Sequence, residues 1–238
     1  MVSLADHILC PPACARTRSA SASASASASA SASAKRGVGL ADRNLEARIC
    51  YRLCVDELFE FLVLIAERLD RAHIPYMLSG SVALSVYAQP RMTRDVDFVL
   101  DIEEAQVDKF VDLFEGDCYV DRESVLEAVR ARGMFNIIHE AWIIKADFVV
   151  RKDQPYRKTE FERRRTVSVG GKDFSVVAAE DLLLSKLHWA KTSRSDIQLG
   201  DVKNLILSES NLDWPYIQRW AQKLGVVDLL NEVEGEDV

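Results

Sequence analysis

Ser79-Gly-Ser-Val-Ala-Leu-Ser-Val-Tyr-Ala-Gln-Pro-Arg-Met-Thr-Arg-Asp-Val-Asp97 is the stretch on which the reading of this chain turns. A Gly-Ser turn opens it, a helix-length stretch follows, and an Asp-x-Asp pair closes it. Side chains two apart on a strand share a face, so Asp95 and Asp97 can point together at one metal centre. Adjacent carboxylates repel, and a divalent cation is the most direct way to hold both ionised. The Gly80-Ser81 turn can offer backbone N–H groups and a hydroxyl to a phosphate at the start of the following helix. A metal centre beside a phosphate cradle points to nucleotide chemistry.

Outward from this segment, 76–78 reads as a short strand entering the turn. Residues 82–88 read as a helix stopped by Pro90. Residues 96–100 read as a strand, with Val96, Phe98 and Leu100 on the face opposite the two aspartates. Upstream, Leu58, Phe61, Leu62, Ile65 and Leu69 recur at helical spacing and predict an amphipathic helix ending before Pro75. Downstream, helices are expected over 103–114 and 123–132, and a strand pair over 134–138 and 142–150. A hairpin is expected around Gly170-Gly171, and helices over 180–191, 197–208 and 214–224. The class is α/β (α+β), with a helical C-terminal part.

Within 142–150, Trp142, Ile144, Ala146 and Phe148 alternate with Ile143, Lys145, Asp147 and Val149. Asp147 thus lies on the less apolar face and joins Asp95 and Asp97 if the two strands are neighbours. Three carboxylates on adjacent strands suit two Mg²⁺ ions about 3.5–4 Å apart. Arg91 and Arg94 flank the acidic pair and either touch a triphosphate or balance the carboxylates. Residues 151–165 hold seven basic and three acidic side chains, which reads either as a solvated linker or as a groove for RNA or a triphosphate tail. Tyr156 and Phe161 are interleaved there and read as surfaces for stacking on bases, with core packing the alternative for Phe161. Trp214 and Trp220 are expected to pack the terminal helices together.

Other chemistries find little support. Val99 and Leu100 stand where a calcium loop needs a ligand and a glycine. No Walker lysine loop, Rossmann glycine triplet or Gly-x-Ser-x-Gly elbow is present. His139-Glu140 lacks the second histidine of a zinc-protease helix, and both are expected at the surface of a turn. Ser81 has no histidine in a partner motif, so it reads as a phosphate contact rather than a nucleophile.

The Gly-Ser turn, short helix, Asp-x-Asp strand and later lone Asp resemble the nucleotidyltransferase (polymerase-beta-like) superfamily. Pro90-Arg-Met-Thr-Arg-Asp-Val-Asp is similar to the abortive-infection and toxin–antitoxin branch of nucleotidyltransferase-like proteins. Glu180-Asp-Leu-Leu-Leu-Ser-Lys-Leu-His-Trp-Ala-Lys, followed by Asp201-Val-Lys-Asn-Leu, resembles that branch's helical region. The resemblance spans residues 55–224. It implies a small mixed sheet flanked by helices, and a metal-dependent transfer of a nucleoside monophosphate from an NTP with release of pyrophosphate. Gly80 and Ser81 would hold phosphates, Asp95 and Asp97 would bind Mg²⁺ or Mn²⁺, and Asp147 would complete the metal site and act as base. Lys186 falls where the branch has a phosphate-contacting lysine, and Asp201 where it has a helical acid. The acceptor stays open among RNA, a protein and a small-molecule hydroxyl. The alternative is a catalytically inactive member serving as an antitoxin or scaffold for a partner protein.

The chain has 238 residues and a formal charge of -7, with 30 basic and 37 acidic side chains, which argues against a general nucleic-acid coat. Nearly half the residues are apolar, so a core is attainable without disulfides. The longest apolar run in the core, 61–66, is far too short to span a bilayer, and no membrane partner is expected. Residues 19–34 alternate Ser and Ala without interruption and offer no large side chain to bury. The expected division is therefore a disordered tail over 1–50, a nucleotidyltransferase-like domain over 51–177 and a helical region over 178–238. Cys10, Cys14, Cys50 and Cys54 form two Cys-x-x-x-Cys pairs, one inside the biased tail. Together with Cys118 they read as reduced thiols of a cytoplasmic protein rather than zinc ligands.

Overall fold

The computed structural model describes residues 56–91, 93, 95–193 and 195–235. The tail, the two Cys-x-x-x-Cys pairs and Arg94 lie outside the described residues.

A seven-stranded mixed sheet runs in the order β3-β4-β5-β2-β1-β7-β6. Its strands are β1 (Tyr76–Ser79), β2 (Asp95–Leu100), β3 (Cys118–Tyr119), β4 (Met134–His139), β5 (Ile144–Val150), β6 (Arg165–Val169) and β7 (Lys172–Val176). The helices, in chain order, are α1 (Asp56–Ala72), α2 (Gly80–Tyr87), α3 (Val107–Phe114), α4 (Arg122–Ala131), α5 (Pro155–Glu162), α6 (Ala179–Ser193), α7 (Asp196–Ser208), α8 (Trp214–Leu224) and α9 (Val227–Gly235).

The decisive pairing is β2 with β5, parallel, with Asp95 opposite Lys145, Asp97 opposite Asp147 and Phe98 opposite Phe148. An aromatic ladder on the buried face fixes that register. Phe148 stacks on Phe98 at 5.3 Å and on Phe135 of β4 at 5.3 Å, and Phe110 of α3 meets Phe135 and Phe148 edge-on at 5.2 and 5.4 Å. Each aromatic contact adds about 0.5–1.5 kcal/mol beyond burial. A one-residue slip would bring the charged face inward and expel this ladder, so the register is strongly specified. α1 covers the same face through Phe61, Ile65 and Leu69, all fully buried. It ends at Ala72, whose carbonyl accepts a hydrogen bond from the Lys109 ammonium at 2.8 Å.

The β6–β7 hairpin turns on Gly170 and Gly171, both with positive φ (61° and 77°), which matches the sequence reading. Trp220 packs against Tyr156 at 5.1 Å and Tyr216 at 6.4 Å, so it ties α8 to α5.

Three expectations are corrected. Residues 155–162 form a helix rather than a linker, and Tyr156 and Phe161 are core residues, 3% and 5% exposed, so Tyr156 does not stack on bases and Phe161 takes its core-packing alternative. His139 is buried rather than at the surface, stacked on Trp142 at 3.8 Å with its Nδ1 accepting from the Trp142 amide; Glu140 is exposed as expected. β5 starts at Ile144, because Ile143 takes a left-handed turn conformation (φ 53°).

Candidate active site

Strand alternation sorts the site. Val96, Phe98 and Leu100 of β2, with Ala146, Phe148 and Val150 of β5, go inward. Asp95, Asp97 and Val99, with Lys145, Asp147 and Val149, go to the other face. Ser79 of β1 pairs with Asp97, and Asn136 of β4 with Asp147. One row across four strands therefore reads Ser79, Asp97, Asp147, Asn136.

β1 ends at Ser79, and the chain enters α2 at once through Gly80 in a left-handed conformation (φ 62°). A Cβ built on Gly80 would overlap the Asp97 carboxylate, so only glycine fits there. Asp97 also accepts from the Ser81 backbone N–H. Its pKa is raised, mainly by burial and then by the neighbouring Asp147 charge, while Lys186 and the Ser81 N–H draw it down.

Lys145 is the near cation. Its Nζ lies 2.8 Å from Asp147 Oδ2 and 3.9 Å from Asp95 Oδ1, and the hydrogen bond to Asp147 raises its pKa. Among the described residues, no group of three or more His, Cys, Asp or Glu side chains is arranged to hold a metal ion. The donor chemistry nevertheless suits Mg²⁺ or Mn²⁺: Asp95 and Asp97 share one face of β2 with Asp147 in register on β5, all hard carboxylate oxygens.

Facing the Ser79 and Asp97 end of this row is α6. Leu182, Ser185, Lys186 and Trp189 recur at helical spacing and line a cleft of about 410 Å³ with Gly80, Ser81, Asp95 and Asp97. Lys186 is only 4% exposed and is held at 2.7 Å by Asp201 of α7, with Gln198 at 3.3 Å. Burial lowers its pKa, against the pull of Asp201. Arg91 also lines the cleft and donates from Nε to Asp201 Oδ1 at 3.1 Å; it balances that acid rather than the Asp95–Asp97 pair.

Most of the basic stretch is spent internally. Arg163 binds Glu180 and Asp181 at 3.0 and 2.9 Å, Arg157 binds Glu160 and Ser185 at 2.7 Å each, and Arg151 binds Asp101 at 2.8 Å. These pairs join α5 and its approach to α6 and to β2. Arg151, Lys152 and Arg157 still line the cleft.

Sequence reasoning missed Lys145, although the alternation that placed Asp147 also places this lysine beside it. It missed Gln198 and Met134 as lining residues, and no local pattern marks either.

No family model matches the chain, and no curated protein matches it in sequence. In three dimensions it is similar to an antigenic nucleotidyltransferase-like protein from Paracoccidioides brasiliensis, at 16% identity and TM-score 0.45 over 73% of this chain and 91% of that one. It is similar to a lincosamide antibiotic adenylyltransferase with lincomycin bound, at 16% identity and TM-score 0.42 over 63% and 94%. A CCA-adding enzyme in complex with ATP follows at 11% identity and TM-score 0.35, over 77% of this chain and 55% of that one. These overlaps are loose, so what the cleft can do rests on its own geometry.

Proposed function

We propose that the protein is a metal-dependent nucleotidyltransferase that moves a nucleoside monophosphate from an NTP to a hydroxyl of an RNA, a protein or a small molecule. One observation carries this reading: Asp97 packs on the Gly80-Ser81 helix start, shares a cleft with Lys186, and stands directly opposite Asp147 on the parallel neighbouring strand. In this reading the 51–177 unit supplies the carboxylates and the phosphate turn, and the 178–238 unit supplies Lys186.

Asp95, Asp97 and Asp147 would hold Mg²⁺ or Mn²⁺, which supplies charge neutralisation for the triphosphate and acidity to the attacking hydroxyl. The Gly80-Ser81 turn and Lys186 bind and orient the phosphates. The acceptor oxygen bonds to the α-phosphorus, and its proton passes to an Asp147 carboxylate oxygen. The bond from that phosphorus to the bridging oxygen breaks, and pyrophosphate leaves with the electron pair. Asp201 and Gln198 keep Lys186 in place, and positioning supplies much of the rate.

The rival reading, an inactive antitoxin-like or scaffold protein, draws on Lys145, whose ammonium already answers the carboxylates. Incubation with each α-labelled NTP, Mg²⁺ and total RNA or protein separates the two. Label transfer by wild type and none by Asp95→Asn is the expected result. No transfer and no metal-dependent NTP binding by wild type would sink the enzyme; equal transfer by Asp95→Asn would move the site elsewhere.

A further inference from the structure

The cleft has an apolar end that nothing in the phosphate chemistry uses. On β2 and β5, two residues beyond the carboxylates, Val99 pairs with Val149, and Val149 pairs in turn with Met134 of β4. This apolar row lies about 7 Å along the strands from the Asp97–Asp147 row. Met134 is 60% exposed although it lines the cleft. On the facing wall, Trp189 is 57% exposed while its helix neighbours Leu187 and Ala190 are fully buried. Trp189 follows Lys186 on the same helix face, about 4.5 Å further along the axis.

We propose that Trp189 and the Val99–Val149–Met134 row form the seat of the nucleobase of the NTP. The inference rests on the nucleotidyltransferase reading and adds to it the residues that grip the donor's base. A planar base needs a π-face and an apolar floor, both lying one sugar away from the phosphates. Trp189 supplies the face, and the row supplies the floor. Stacking reads a ring face rather than its hydrogen-bonding edge, so the seat admits more than one base. An acceptor group held at the same place is the competing occupant, and it would leave donor binding unaffected by Trp189.

The test is calorimetric titration of the full chain with Mg²⁺ and either the α,β-methylene analogue of ATP or inorganic tripolyphosphate, which has no base. Trp189→Ala is expected to weaken the analogue about tenfold or more and to leave tripolyphosphate within twofold of wild type. Trp189→Phe should recover most of the loss. Equal analogue binding by wild type and Trp189→Ala overturns the base seat, as does an equal loss for both probes, which would mark a structural role. Failure of wild type to bind either probe is a different result: it overturns the nucleotidyltransferase reading, and the seat falls with it.

Discussion

The Lys145 ammonium sits 2.8 Å from the Asp147 carboxylate, two residues along the same strand and on the same face. It reaches Asp95 at 3.9 Å across the β2–β5 pairing, so one internal cation serves two of the three carboxylates proposed to bind metal. Divalent binding must compete with it. Lys145→Ala should lower the melting temperature in EDTA slightly, since a pair with a partly exposed lysine contributes about 1 kcal/mol or less. The same variant should show a larger Mn²⁺-induced rise in melting temperature than wild type. An equal rise in both would mean that Lys145 and the metal do not share these carboxylates.

Gly80 should tolerate nothing larger. Gly80→Ala meets both a left-handed backbone and the Asp97 carboxylate. We expect a loss of about 1–3 kcal/mol in urea unfolding, together with loss of NTP binding. Wild-type stability in the variant would show that the turn relaxes freely and that the close packing of Gly80 on Asp97 has no consequence.

Lys186 and Asp201 form a buried pair at 2.7 Å, with side chains 5% and 6% exposed. Asp201→Asn strands the buried Lys186 ammonium and should cost about 3–5 kcal/mol, whereas Lys186→Met leaves Asp201 paired with Arg91 and should cost less. The double variant should recover part of that stability without recovering NTP binding. A double-mutant cycle with no coupling would refute the pair.

Arg68 holds Asp117 through two hydrogen bonds of 2.6 Å, and these lower the Asp117 pKa. A lowered folded pKa means that the unfolded chain binds more protons in that window. The stabilisation is therefore complete above the unfolded value, about 3.9, and disappears as pH falls through the lower folded value. Arg68→Met should cost about 1 kcal/mol at pH 7, measured by urea unfolding, and the gap from wild type should close toward pH 3. A gap independent of pH would assign the loss to packing over Phe114 instead, whose ring the guanidinium overlies at 5.4 Å.

The parts legible in the sequence were those with a short period. Alternation placed Asp95, Asp97 and Asp147 on one face, and helical spacing found α1 and most of α6–α8. The neighbouring of β2 and β5 was only a condition in the sequence; a buried Phe98–Phe148 contact across fifty residues enforces it. The segment Arg151 to Arg165 misled because charge was counted without partners. Arg157 finds Glu160 one turn away, but Arg151 and Arg163 find carboxylates at the end of β2 and on α6, which no local window contains. α9 was missed because its buried apolar positions Leu229, Leu230 and Val233 span little more than one turn.

The parallel pairing of β2 with β5 also governs which changes of length the chain can absorb. Every residue of β2 and β5 on the cleft side carries an odd number, from Asp95 to Val99 and from Lys145 to Val149. A deletion inside either strand would exchange parity and present Phe98 or Phe148 where an aspartate had been. The excursion between the strands, with its helices and the β3–β4 ladder, crosses no such constraint in its loops. Inserted residues near Glu140 or Gly116 should leave the carboxylate spacing intact, whereas one residue added at Val96 should erase it.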